Sequence, residues 1–190
     1  MHIAITGSMG SGKSEVVSIL KELKFPVLSA DEIVHRLYER EDIKQKLVKI
    51  FSSQVLTCFN EVDKAYLSFR IFNNSREKLK LEELIHPLVY KSLKEEAQKY
   101  ELCFSEVPLL FETNSEHQFD QNLVVISDLE VAKKRLIEQR NLSAEEVEKR
   151  WANQMPIDQK IELADDVIEN NGSRLELKEK VIQYLHKLKQ

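Results

Sequence analysis

The sequence predicts an α/β fold: a parallel sheet in the middle of three layers, with an inserted helical lobe and a helical lid. Three observations predict it. Short apolar, β-branched runs alternate with amphipathic stretches of helical period, which is the pattern of βαβ units and a sheet covered on both faces. A glycine loop joins the first such run to the first amphipathic stretch. Of the four glycines in the chain, Gly7, Gly10 and Gly12 fall within "GSMGSGKS", residues 7–14. Finally, the stretch 32–100 has helical spacing throughout and is too long for one crossover, so it reads as a lobe beside the sheet.

The elements follow in order. Residues 2–6 read as a buried strand. Val16, Val17, Leu20 and Leu23 then recur at helical spacing, so a helix follows the loop. "FPVLSAD", 25–31, reads as a second strand with Pro26 at its entrance and Asp31 at its exit. "IVHRLY", "IKQKLVKIF", "AYLSFRIF" and "LIHPLVYKSLKEEAQKY" place apolar residues three and four apart, with no good strand among them. Strand character returns in "LCFSEV" (102–107) and "NLVVIS" (122–127). "SDLE" (127–130) reads as a capping box opening a helix towards Arg140, and "SAEE" (143–146) opens another. "DVIEN" (166–170) is a last short strand, and Leu175, Val181, Ile182, Leu185 and Leu188 mark a closing helix. The expected division of this single domain is a core of 1–31, 101–134 and 157–190, a lobe of 32–100 and a lid of 135–156.

Composition narrows the function. A chain of 190 residues, 42% hydrophobic and 32% charged, has the profile of a soluble globular domain. Its net charge of −4 supplies no field to attract nucleic acid, so an anionic ligand must be held by local positive charge. Cys58 and Cys103 form no CxxC and have no histidine at ligand spacing, which excludes a disulfide framework or zinc site and predicts two reduced, mostly buried thiols. No basic leader precedes the first strand, and no apolar run approaches the roughly 20 residues of a membrane span. The expectation is a cytoplasmic protein that binds neither membrane nor nucleic acid.

Residues 7–14 match G-x-x-x-x-G-K-[ST] in the required context, after a strand and before a helix. Glycines let successive N–H groups turn inward and cradle phosphate oxygens, aided by the helix N-terminus. Lys13 would reach the β- and γ-phosphates, and the Ser14 hydroxyl would bind Mg²⁺. The motif implies binding of a nucleoside triphosphate without saying what is done with it. A GTP switch needs an Asp three residues before a glycine; Gly172, alone outside the loop, has Glu169 there, and N-K-x-D is absent. Four glycines cannot supply the signature of a transport ATPase. A small-molecule kinase remains, and arginines support it: Arg135, Arg140 and Arg150 lie in or beside two helices joined at 141–142. Phosphoryl transfer depends on positioning and charge neutralisation, which a lid carrying arginines provides. Arg135 reads equally well as a solvated helix face.

With these pieces assembled, the chain resembles the dephospho-coenzyme A kinase family over nearly its whole length. The resemblance rests on "ITGSMGSGKS", "SADEIVHRLY", "LEELIHPLV", "EVPLLFE", "RLIEQRNLSAEEVEKRWANQMP" and "ADDVIENNG". It implies an α/β P-loop kinase that phosphorylates the ribose 3′-hydroxyl of dephospho-CoA with ATP and Mg²⁺. Other readings are a P-loop kinase of a different small acceptor, such as a nucleoside monophosphate, and a nucleotide-dependent module without catalysis.

Carried over by residue, the resemblance gives Gly10, Ser11, Gly12, Lys13, Ser14 and Glu15 to the ATP phosphates, with Arg140 from the lid and Asn170 beside the adenine. Asp31 would face the acceptor hydroxyl as a base; on sequence alone it serves equally as a helix N-cap. His86, Pro108, Leu109 and Leu110 fall where the family lines the acceptor pocket, although a His beside Pro and the apolar run also read as structural. Glu106 would lie near Mg²⁺ through water, or simply be the polar end of a strand. Lys13, Asp31 and Arg140 are thus the expected catalytic groups. The chain departs from the family in four places. Ser29 replaces an Asp, and Glu106 is one methylene longer than the usual Asp. Lys64 stands for an arginine, whose planar fork it lacks, and a glycine is missing around 51–53.

Overall fold

The computed structural model of the chain describes residues 1–140, 143–152 and 154–188; the side chains of Gln139, Arg140 and Arg150 lie outside that description. Two compact units emerge, Met1–Leu28 with Ala97–Gln190, and Ser29–Glu96.

The first unit is built on a five-stranded sheet of order β2-β3-β1-β4-β5. β1 (His2–Gly7) is central and pairs in parallel with β3 (Cys103–Glu106) and β4 (Gln121–Ile126), and β4 pairs in parallel with β5 (Asp166–Glu169). β2 (Val27–Ser29) forms the edge beside β3, where the Phe104 N–H donates to the Pro26 carbonyl at 3.0 Å. Alternate residues supply one buried face: Ile3, Ile5, Leu123, Val125 and Ile168 meet Val16 and Leu20 of α1 (Lys13–Glu22) and Val181 and Leu185 of α9 (Arg174–Lys187). Ala4 and Val124, pointing the other way, are buried too, as befits central strands covered on both sides. The chain leaves β1 towards β2 and leaves β4 towards β5, so the crevice at the carboxyl ends of β1 and β4 is the switch point of the sheet. The glycine loop departs from there.

Two local readings need correction. The second strand ends at Ser29, and Asp31 lies in the first turn of α2 (Ala30–Glu39) instead of at the strand exit. Ser29 is the N-cap, its Oγ accepting from the Glu32 N–H at 3.3 Å, so Asp31 does not cap the helix. The "SDLE" box is not made either. α6 (Leu129–Arg140) begins one residue later than expected, behind Asp128, and the buried Ser127 Oγ has no hydrogen-bond partner among the described residues. The "SAEE" box is present: the Ser143 N–H donates to Glu146, and the Glu146 N–H to Ser143 Oγ at 3.2 Å. It opens α7 (Ala144–Trp151), which precedes α8 (Ile157–Glu162).

The second unit is helical. α2, α3 (Glu41–Phe51), α4 (Lys64–Asn73) and α5 (Ser75–Ala97) bury Ile33, Leu37, Ile43, Leu47, Phe51 and Leu93. A lone antiparallel bridge, Leu56 to Val62, closes the turn that carries Cys58. Cys58 is exposed there, against expectation, because the turn projects its side chain outwards; Cys103 is buried in β3, and neither cysteine is in a disulfide. Ser52 ends α3 at φ 70°, ψ 174°, a region that only glycine enters without strain. Ser52 thus holds a glycine-like conformation in the stretch 51–53, where the resemblance implies a glycine that the chain lacks. Ser52→Gly should raise stability by about 1 kcal/mol, the relief of strain outweighing the added freedom of the unfolded chain. Urea unfolding measures it, and an unchanged or lower midpoint would refute the strain.

No helix among the described residues is long and apolar enough to cross a membrane.

Candidate active site

The loop of residues 7–14 lies at the centre of the site. β1 delivers Gly7 to the sheet edge in close contact with β4: a Cβ on Gly7 would lie 2.1 Å from the Val125 carbonyl oxygen. Gly12, the residue before α1, adopts φ 88°, ψ 28°, the left-handed region that lets the chain turn into the helix. A Cβ there would strike the Asn170 amide nitrogen at 2.0 Å. The loop therefore requires glycine for two reasons, its backbone path and its neighbours.

Lys13 opens α1 and folds its ammonium back across the loop, donating to the carbonyls of Gly7 at 2.8 Å and Ser8 at 2.9 Å. Ser14 is exposed in the first helical turn. Glu15 is turned aside: its carboxylate pairs with Arg174 at 2.5 Å, and its N–H closes on the Gly12 carbonyl. A positive side chain, a helix N-terminus and flexible glycines thus share one small volume, an arrangement suited to a polyanion.

Asn170 sits at the end of β5 and is 5% exposed. Its Nδ2 donates to the Ser11 carbonyl at 2.9 Å, and its Oδ1 accepts from Arg135 Nη2 at 3.4 Å. One end of the amide thus braces the loop and the other meets α6. Arg135, which the sequence left undecided, lies against Gly12, and its buried Nη1 has no hydrogen-bond partner among the described residues. A buried cationic donor without an acceptor suits an anion, which makes Arg135 a candidate for the site on physical grounds. Arg140 closes α6, but its side chain lies outside the described residues, as does that of Arg150.

Glu106 ends β3 in register with Ile5, close to where β1 enters the loop. The following turn is held by Thr6, whose Oγ1 donates to the Pro108 carbonyl at 3.3 Å. Leu109 is 48% exposed, whereas Leu110 and Phe111 are core residues, so the side chain of Leu110 offers no surface to an acceptor. Glu112 of the same turn pairs at 2.7 Å with Lys160 of α8, whose side chain is fully buried.

A further group bears on the loop from the end of α7 and the segment that follows it. The Trp151 indole N–H donates to the Met9 carbonyl at 3.1 Å, and the Met9 N–H donates to Gln154 Oε1 at 3.0 Å. Met9, Ser11, Trp151 and Gln154 line a cavity of about 260 Å³. These contacts span more than 140 residues of chain, and no local pattern announces them.

The second unit holds Asp31, exposed on the first turn of α2, and His86, in α5 just before Pro87. His86 is half-buried and packs edge-on against Tyr90. Burial lowers its pKa against the opposing pull of Glu82, which favours the neutral imidazole. An open pocket of about 530 Å³ in this unit is lined by His35, Tyr38, Lys44, Phe59 and Lys64, among others.

Comparison with known proteins finds one family over most of the chain. A family model described as CoaE, dephospho-CoA kinase, matches residues 1–176. The dephospho-CoA kinase of Fusobacterium nucleatum is 36% identical over 187 residues, covering 97% of this chain and 96% of that protein. The crystal structure of TT1252 from Thermus thermophilus superimposes with a TM-score of 0.88 at 34% identity, covering 98% of this chain and 96% of that one. The dephospho-CoA kinase from Campylobacter jejuni gives 0.74 at 27% identity, with 98% and 96% covered.

Proposed function

The chain belongs to the dephospho-CoA kinase family, and we propose that it carries the γ-phosphoryl group of ATP to the ribose 3′-hydroxyl of dephospho-CoA, giving CoA and ADP. The bond between the γ-phosphorus and the β,γ-bridging oxygen breaks. A bond from the 3′-oxygen to that phosphorus forms, and the hydroxyl proton leaves to a base. The observation that carries the reading is the loop itself, with Lys13 folded across it and the buried, unpartnered Nη1 of Arg135 beside Gly12.

In this reading Gly10 to Ser14 cradle the β- and γ-phosphates. Lys13 and Arg135 neutralise the charge that shifts to the leaving oxygen, with Arg140 acting from the end of α6. Such positioned cations contribute most of the catalysis in phosphoryl transfer. Asp31 would accept the proton of the acceptor hydroxyl. His86 and the turn of Pro108 and Leu109 would contact the acceptor.

The exposed Ser14 hydroxyl and the Glu106 carboxylate at a strand end are hard oxygen donors that fit Mg²⁺, which needs only one or two protein oxygens when it arrives with a nucleotide. Ser14, with Glu106 through water, would hold Mg²⁺, which would supply positive charge to offset that of the phosphates. Reaction in the cytoplasm is part of the same proposal.

An ADP-release assay with ATP, Mg²⁺ and dephospho-CoA tests the function, with AMP and no acceptor as controls. Release that requires dephospho-CoA, with CoA as product, is expected. Turnover with AMP alone would keep the phosphate site and discard the acceptor; no turnover with either would overturn the enzyme.

A further inference from the structure

Two residues that the reaction leaves without a role, Gln154 and Glu112, meet on one short stretch of chain. Gln154 and Trp151 hold Met9, as described, and the next residue, Met155, donates its N–H to Glu112 Oε1 at 3.1 Å. Glu112 is in turn fixed by the fully buried Lys160. The stretch is therefore anchored at one end to the turn that follows β3 and grips the glycine loop with the other.

The grip falls at a particular point. The N–H and the carbonyl of Met9 belong to successive peptide planes, so the two hydrogen bonds fix the planes on both sides of Met9. Lys13 holds the carbonyls of Gly7 and Ser8, and Asn170 holds that of Ser11. The carbonyls of Gly7, Ser8, Met9 and Ser11 are thus all engaged by side chains. A carbonyl held outwards turns the N–H of the same peptide plane the other way, which for Met9 is the N–H of Gly10 and for Ser11 that of Gly12. A loop with three glycines has many other conformations to lose on binding a ligand, and holding it in one of them removes that cost in advance.

We propose that Trp151 and Gln154 are positioning residues that hold the Met9 peptides so that the phosphate cradle, beginning at Gly10, is formed before the nucleotide arrives. The proposal rests on the nucleotide site argued above and adds to it. Trp151 and Gln154 touch neither reacting atom; they act through the backbone, and through nucleotide affinity more than the chemical step.

Gln154→Met and Trp151→Phe each remove one hydrogen bond and keep most of the side-chain volume. Calorimetry with a non-hydrolysable ATP analogue and Mg²⁺, without acceptor, reads the effect. Each variant should bind the analogue about 3- to 10-fold more weakly, the equivalent of one hydrogen bond, and the double variant more weakly still. In turnover, KM for ATP should rise while KM for dephospho-CoA and kcat at saturating ATP hold. Thermal melting shows whether the variants are folded. Analogue affinity equal to wild type in both variants would overturn the proposal. So would parallel weakening of both substrates with a lowered melting temperature, which marks a merely structural role. Failure of the wild-type protein to bind the analogue would instead overturn the nucleotide site on which the proposal stands.

Discussion

Lys13→Ala should lower kcat/KM by two to three orders of magnitude, the usual loss when one preorganised charge is removed from a transferring group. The fold should survive. The Lys13 ammonium makes its described hydrogen bonds to the carbonyls of Gly7 and Ser8 at a partly buried site on the loop, and the α1–α9 core below does not depend on it. When a triphosphate binds, the ammonium must exchange those carbonyls for phosphate oxygens, so its energy is realised mainly in the complex and transition state. Arginine in its place should rescue poorly, because the planar guanidinium cannot act as a compact point charge in a loop closed around a lysine. Steady-state kinetics alongside a thermal melt decide the matter. Near-normal turnover in a folded Lys13→Ala protein would remove the loop from the chemistry, and a collapsed melting temperature would give the lysine a structural role.

The glycine loop was legible because its chemistry is local. Gly7, Gly10, Gly12, Lys13 and Ser14 lie next to one another in the chain, and the strand before and the helix after them are short-range signals. The parallel sheet was legible for a related reason: strands buried on both faces read as apolar runs. Boundaries were less so. Ser127 and Asp128 are both good caps, and the choice between them turns on the Asp128 N–H, which Asn171 engages from across the sheet edge at 2.7 Å. Arg135 could not be decided from sequence, since the side of α6 that faces the loop is fixed by the packing of Ala132 and Leu136 against Gly10. The contacts of Asn170 with Ser11 and Arg135 were not legible, because an amide has two polar ends and the sequence does not say what each meets. The grip of Trp151 and Gln154 on Met9 joins distant segments through backbone atoms that look alike at every position. Ser52 shows the converse: a serine in the chain hides a backbone conformation that a glycine would have announced.

Asp31→Asn is the second variant with a large expected effect, and the structure makes it a clean one. A carboxylate in the first turn of a helix has two ordinary structural uses, capping and interaction with the helix dipole. The first is filled by Ser29, whose Oγ takes the Glu32 N–H. The second contributes only about 0.3–1 kcal/mol at an exposed position. Asparagine matches the shape of aspartate and retains a hydrogen-bonding oxygen, so a positioned acceptor hydroxyl could still be held. What it loses is the capacity to take a proton and the negative charge that orients the hydroxyl. General-base assistance is worth about 10²–10⁴ in rate, and kcat should fall by a factor in that range. Affinity for the ATP analogue should not change, because no phosphate oxygen is predicted to meet Asp31. Binding and turnover measured on the same preparation separate the two. A normal kcat would place the proton elsewhere, while a loss of analogue binding equal to the loss of rate would make Asp31 part of the nucleotide site instead of the acceptor's partner.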